Sequence, residues 1–471
     1  MLTLPLVNPW VRGDGVGYYA FGRALLIEHD LNFEKDWLMA NTRFREARTD
    51  PEGNVVPTQY TATNHLDNHF SIGPAILWSP FLITAHVAVL TWDAMGGHIP
   101  VDGYSRPYVM AMALGTAIYA FVALWISFRI ARKYFSERWA FLATLGIWFA
   151  SSLPVYMYFN PSWSHAHSAF AVALFLWYWD RTRPERTWLQ WAILGGLGGL
   201  MTDIYYVNGL LFLLPLLESL AAYWTALTTS DARLIPRLFF KNTLFSAVVI
   251  LTFLPTLIEK KIIYGSYVTF GYEHLWAWTS PALFSVCFSS DHGLFSWTPI
   301  LLLAVAGLFF FAKNDQNPAV YLSAVFAAFL YSIGCYADWD GVSSFGNRFF
   351  ISLTALFIFG LAALFNRLEH AWQERGAFVF SASATAVLIV WNLGLVYQWG
   401  THLIPVRGPI TWRQAAYNQA AVVPLRVTRS LKDYLIDRRQ MMNHIEEEDI
   451  KQRDYQLSRS QRATSSGTEP K

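Results

Sequence analysis

Charge is the scarcest commodity in this sequence. Asp, Glu, Lys and Arg supply only 14% of its 471 residues, against about 25% in ordinary soluble domains. A chain so poor in charge lacks the polar surface to coat a water-soluble body. It is also nearly neutral, at a formal +2, so nucleic-acid binding has no electrostatic support. Only two cysteines are present, Cys287 and Cys335. They lack the paired spacing of a metal or redox motif.

In place of charge there are long apolar blocks. Hydrophobic residues make up 54% of the chain and aromatics 17%, and runs such as 108–128 and 377–396 are long enough for membrane helices, which need about 20 apolar residues. Hydropathy predicts spans near 108–131, 139–156, 163–179, 188–202, 204–224, 240–258, 297–312, 319–336, 349–366 and 377–398. Segment 72–92 is also apolar but carries Pro74 and Pro80 and is expected at the interface. Segment 281–290 is short enough for a re-entrant or interfacial piece. The stretch from Met1 to Trp10 is too short to cross and lacks the basic start and cleavage site of a signal peptide. It reads as a start inside a first transmembrane helix.

Lys and Arg divide unevenly between alternate loops. One set holds Arg129, Arg132, Lys133 and Arg138, then Arg181, Arg183 and Arg186, then Arg233, Arg237 and Lys241, then Lys313, then Arg367 and Arg375. The other set has Arg106, Lys260, Lys261 and Arg348, and its middle loops have none. The positive-inside rule makes the first set cytoplasmic, provided 72–92 does not cross. The expected architecture is all-α, a polytopic helical bundle of about 10–11 spans with a long outer first loop. Residues 1–107 form the truncated first span and outer loop, 108–400 the transmembrane core, 401–444 a surface amphipathic segment, and 445–471 a polar tail expected to be disordered.

The outer loops hold the residues suited to chemistry. Asp14 sits in Arg12-Gly13-Asp14-Gly15-Val16-Gly17-Tyr18-Tyr19, where flanking glycines allow close approach of a ligand, although Gly-Asp-Gly is often only a turn. His65, Asp67 and His69 alternate, so an extended segment would aim them to one side for a metal or a phosphate, or leave them solvated. His165 and His167 stand at a helix mouth, as phosphate contacts or as caps. Asp203 lies between two apolar halves, where a carboxylate at membrane depth points to function. Lys260, Lys261 and Tyr264 precede Phe270-Gly271-Tyr272, and Asp291 and His292 follow in Ser289–Pro299. Arg348 closes Trp339–Arg348, with a planar guanidinium suited to bidentate phosphate binding or to headgroup anchoring.

With these residues in view, the sequence resembles bacterial GT-C glycosyltransferases, the polytopic enzymes related to protein O-mannosyltransferases and the lipid A aminoarabinose transferase. The matching stretches are Gly13–Tyr19, Gly73–Phe81, Tyr264-Gly265, Ser289–Pro299 and Ser344–Phe349, spread over about residues 11–400. The resemblance implies transfer of a sugar from a polyprenyl-phosphate donor to a lipid, glycan or protein acceptor. The reaction would occur at the periplasmic or extracellular face of a bacterial inner (plasma) membrane. It implies Asp14 as general base, and Arg348, then His69, Lys260 and His292, as donor-phosphate ligands. Tyr18, Tyr19, His165, Asp203, Tyr264 and Asp291 would line the substrate pocket.

The chain departs from the family pattern at Gly15, where many relatives have a second acidic residue, and at His69, where a lysine is common. No obligatory metal and no other cofactor is expected. The partners are the polyprenyl-linked sugar and membrane lipids. The main alternative is a transporter or flippase of a lipid-linked glycan, which would place its polar groups near mid-membrane on repeated, broken helices.

Overall fold

In a computed structural model the chain builds helices joined by loops, with isolated β-bridges but no strands among the described residues. Those are residues 3–39, 49–50, 52, 54–183, 185–229, 233–269, 271, 273–312 and 317–465, the side chains of 273, 317 and 452–465 excepted. Lys313, Phe270, Tyr272 and the last residues of the tail, 466–471, lie outside them.

The longer helices are α1 (Asp14–Arg23), α2 (Gly73–Ala94), α3 (Arg106–Tyr134), α4 (Glu137–Phe149), α5 (His165–Thr182), α6 (Trp188–Ile204), α7 (Leu213–Thr228), α8 (Leu234–Tyr264), α9 (Ile300–Ala312), α10 (Asn317–Cys335), α11 (Thr354–Ala371), α12 (Glu374–Gly400), α13 (Val423–Ile436) and α14 (Arg438–Ser465). Every expected span holds one of these helices. Among the described residues, seven helices are long and apolar enough to cross a membrane by length and composition, which makes this a multi-pass helical membrane protein.

Small residues bring the spans together. A Cβ added at Gly199 would meet the backbone of Val249, and one at Gly307 the backbone of Gly360. The α6–α8 and α9–α11 pairs thus pack with backbones nearly touching. Lipid tails are as apolar as leucine, so close van der Waals contact at small residues is what joins membrane helices. The start of α6 is fixed by a capping box, in which Gln190 N donates to Thr187 Oγ1 at 3.3 Å and Thr187 N to Gln190 Oε1 at 2.8 Å.

Charges on the bundle fall into two groups. At one end, Lys133 bonds Asp180 at 2.8 Å, Arg186 bonds Glu218 at 2.6 Å, and Arg138 pairs with Glu369 and Glu374. These belong to the loops rich in Lys and Arg. The start of α5, the ends of α6, α8 and α10, and the approach to α11 meet at the other end, around Asp14.

Two segments gain detail and one expectation, that of a disordered tail, is corrected. Segment 72–92 forms one unbroken helix, Gly73–Ala94, long and apolar enough to cross by length and composition. Pro74 occupies the first turn, where its missing N–H costs nothing, and Pro80 is carried inside the helix. This helix runs antiparallel to α3, with Tyr119 donating to Leu77 O at 3.0 Å and His86 bonded to Tyr108 at 2.8 Å. Segment 281–290 carries a short helix, Leu283–Phe288. Finally, the chain stays helical from Arg438 to Ser465, through most of the tail whose composition suggested disorder. Tertiary contact supplies what composition lacks, since Asp449 bonds Arg12 at 2.8 Å and His402 at 2.7 Å.

Candidate active site

The glycine-rich motif works by packing. Gly13 has φ of 55°, in the left-handed region that glycine enters freely. A Cβ at Gly15 would fall on the Ser162 side chain and one at Gly17 on the Phe70 ring. Asn68 Nδ2 donates to Gly17 O at 3.0 Å and Trp163 Nε1 to Arg12 O at 3.0 Å. The motif is thereby clamped between the 68–70 and 162–163 segments, leaving Asp14 as the first residue of α1.

Opposite stands Arg348, whose Nη1 donates to Asp14 Oδ2 at 2.6 Å. The guanidinium carbon lies 4.2 Å from the Trp163 ring centre and 5.3 Å from that of Phe349, so the cation is sandwiched as well as paired. Its Nε is buried without a hydrogen-bond partner. Asp14 keeps 35% of its side chain exposed against 10% for Arg348. The carboxylate therefore faces the open space while the guanidinium is held from behind.

That space is a cavity of 480 Å³ lined by Asp14, Tyr18, His69, Ser71, His165, Tyr205, Tyr206, His274, Trp276, Tyr336, Asp338, Arg348 and Arg407, among others. Burial pushes the Tyr18 phenol well up, and it pushes Tyr336 to about 12 with help from Asp338. Both phenols stay protonated at neutral pH and can donate hydrogen bonds. Burial, then the charge of Asp340, raises Asp338.

Sequence reasoning placed Asp14, Arg348, His69, Tyr18 and His165 where the structure brings them together. It did not foresee Tyr336, Asp338, His274 or Arg407 on the same cavity. Arg407 comes from a segment whose amphipathic pattern drew attention to its surface character, and only chain folding turns it inward.

Other expected residues sit elsewhere. Lys260 is fully buried and donates to Asn68 O at 3.2 Å and Phe70 O at 2.9 Å, so it braces the strand of chain that carries His69. The Tyr264 hydroxyl donates to the Asp67 carboxylate. Tyr19 turns away to Gly103 O at 2.5 Å. Asp203 is buried next to Gly73, off the cavity lining. Asp291 and His292 lie behind the loop that leads to Arg348. Burial lowers the His292 imidazole to about 4, opposed by its bond to the Asp340 backbone, while burial and Asp340 raise Asp291 to about 6.

The loop between α10 and Arg348 is wound tightly. Gly341, Val342 and Gly346 have φ of 73°, 59° and 55°. For a β-branched residue such as Val342 that conformation is a genuine outlier. Ser344 Oγ donates to Gly346 O at 2.7 Å, and the backbone N–H of Phe345 to the Tyr156 hydroxyl at 3.2 Å.

Fold and site together define a multi-pass, all-helical membrane protein with an acid–cation pair in a cavity at one end of its bundle. Among solved structures it is similar to ArnT from Cupriavidus metallidurans. The form bound to undecaprenyl phosphate matches at 14% identity and a TM-score of 0.47, over 84% of this chain and 69% of that one. The apo form matches at 13% identity and a TM-score of 0.45, over 84% and 68%. A likeness at this level says nothing of chemistry or substrate. No protein-family model and no curated protein matches the chain.

Proposed function

We propose that the protein is a glycosyltransferase that moves a sugar from a polyprenyl-phosphate donor to an acceptor hydroxyl at the outer membrane face. Asp14 takes the proton of the acceptor hydroxyl as its oxygen attacks the anomeric carbon. The bond from that carbon to the phosphate oxygen breaks, and polyprenyl phosphate leaves with one more negative charge. Arg348 receives that charge, which a preorganised cation in a cavity stabilises more effectively than water does.

The observation that carries this reading is the contact between Asp14 and Arg348 at 2.6 Å inside a 480 Å³ cavity. In the absence of donor each group satisfies the other. An arriving phosphate offers Arg348 a competing, bidentate partner and frees Asp14 to accept a proton. His69, His165 and Arg407 border the same cavity and surround the position of the phosphate. The protonated Tyr18 and Tyr336 donate to sugar hydroxyls.

The alternative of a transporter is less well supported. Asp14, His165 and Arg348 stand at element starts, and Tyr205 and Tyr336 immediately follow α6 and α10. The cavity is therefore built at helix ends rather than halfway along spans, where transporters hold their substrates.

The test compares wild-type and Asp14→Asn membranes for transfer of labelled sugar from polyprenyl-phosphate donors. Unchanged turnover in the variant removes Asp14 as base.

A further inference from the structure

The loop that delivers Arg348 rests on a second polar cluster, separate from the cavity. A carboxylate oxygen of Asp291, a ring nitrogen of His292 and a carboxylate oxygen of Asp340 all lie within 4.8 Å of one another. None of the three residues lines the cavity around Asp14. His292 is completely buried. Its Nδ1 lies 3.0 Å from the Asp340 main-chain oxygen and 3.6 Å from Asp291 Oδ1. Its Nε2 and the Oδ1 of Asp291 are buried without any hydrogen-bond partner.

Two carboxylates and an imidazole this close are a poor arrangement on their own. The carboxylates repel one another, and a buried polar atom left without a partner costs about 1–3 kcal/mol. The nearest strong cation, Arg348, is already engaged by Asp14. One ion would remove both penalties at once. Metal–oxygen and metal–nitrogen bonds of about 2.0–2.2 Å set neighbouring ligands about 3–4 Å apart, so small side-chain rotations close the gap. A histidine held through a backbone carbonyl, with carboxylates beside it, is a familiar donor set for transition metals.

We propose that Asp291, His292 and Asp340 form a binding site for one divalent transition metal ion of the Mn²⁺ or Zn²⁺ kind, which clips the Ser289–Gly293 turn to the loop carrying Arg348. The ion touches neither Asp14 nor the cavity, so its role is structural and it takes no direct part in the transfer chemistry. It fixes the start of a strained loop whose other end sets the guanidinium in place.

The experiment uses the full-length protein in detergent, stripped with a chelator, desalted and then titrated with Mn²⁺ or Zn²⁺. Bound metal is read by elemental analysis and unfolding by intrinsic fluorescence. The wild type is expected to retain about one equivalent and to unfold at a higher temperature when loaded. Asp340→Asn keeps the shape of the side chain and its bond to the Val342 N–H, and His292→Gln removes the imidazole. Each is expected to weaken metal affinity at least about tenfold and to abolish the thermal shift. Should His292→Gln fail to fold, Asp340→Asn alone decides the matter. Wild-type protein that retains no metal, or retains as much as Asp340→Asn does, overturns the proposal, as does a response to Ca²⁺ or Mg²⁺ only. Sugar-transfer activity is not a readout, so failure of this site leaves the role of Asp14 standing.

Discussion

Asp14 and Arg348 are 334 positions apart in sequence and 2.6 Å apart in space. Each is set by its own local device. Glycine packing against Ser162 and Phe70 places the acid, and stacking on Trp163 beyond a tightly turned loop places the cation. Their meeting is the relationship on which the proposed chemistry depends.

Replacing Asp14 by Asn preserves shape and removes basicity. Loss of a general base typically costs about 10²–10⁴-fold in rate, so turnover of labelled donor is expected to fall by that factor while donor binding persists. Binding of the lipid-phosphate donor, measured separately in detergent, should be equal or tighter, because Arg348 loses a charged competitor.

Arg348→Lys separates charge from geometry. Lysine keeps the positive charge but loses the planar fork and the stacking surface on Trp163. A charge-assisted hydrogen bond is worth about 1.5–3 kcal/mol, so the donor KM should rise roughly tenfold to a hundredfold. A variant with unchanged KM would exclude Arg348 as the phosphate ligand.

Gly17→Ala tests whether the motif is a packing device. The added methyl would meet the Phe70 ring, and overpacking of this kind typically costs about 1–3 kcal/mol. The thermal midpoint in detergent is expected to drop, and activity to drop with it, because Asn68 and Phe70 also carry the adjoining His69. An unaltered midpoint would show that the glycine serves some other purpose.

Asp449, which is not among the cavity-lining residues, gives a pH-dependent prediction. Burial alone would raise its carboxyl, but the hydrogen bond from His402 and the charge and bond of Arg12 hold it below the usual aspartate range. Its folded value lies beneath the unfolded one of about 3.9. The contact therefore contributes fully above about pH 4 and is lost as pH falls through the folded value. Hydrogen exchange of residues 438–451 should accelerate below that point. In Asp449→Asn the same residues should exchange faster above about pH 4, where the wild-type contact is intact, and lose the acid-dependent step.

Much of the fold was legible because lipid leaves a coarse record. A span needs only length and apolarity, and those survive any detail of packing, so α3, α5, α6, α10 and α12 fall close to their expected limits. Asp14 and Arg348 were legible for a related reason: a charged residue at the edge of an apolar run has few places to go. Lys260 was misjudged because its neighbours in sequence are polar, whereas its partners, the carbonyls of Asn68 and Phe70, arrive from nearly two hundred residues away. Arg407 and Tyr336 were missed for the same reason. The α14 helix was hidden because its anchors, Arg12 and His402, leave no trace in local composition.

Val342 carries one consequence further. A valine at φ 59° holds about 1–3 kcal/mol that a relaxed backbone would release, and it does so within a few residues of the cation. That segment behaves like a spring kept under tension by what surrounds it. Sequence changes that ease the tension, Val342→Gly first among them, are expected to make the protein hardier and its guanidinium less well aimed.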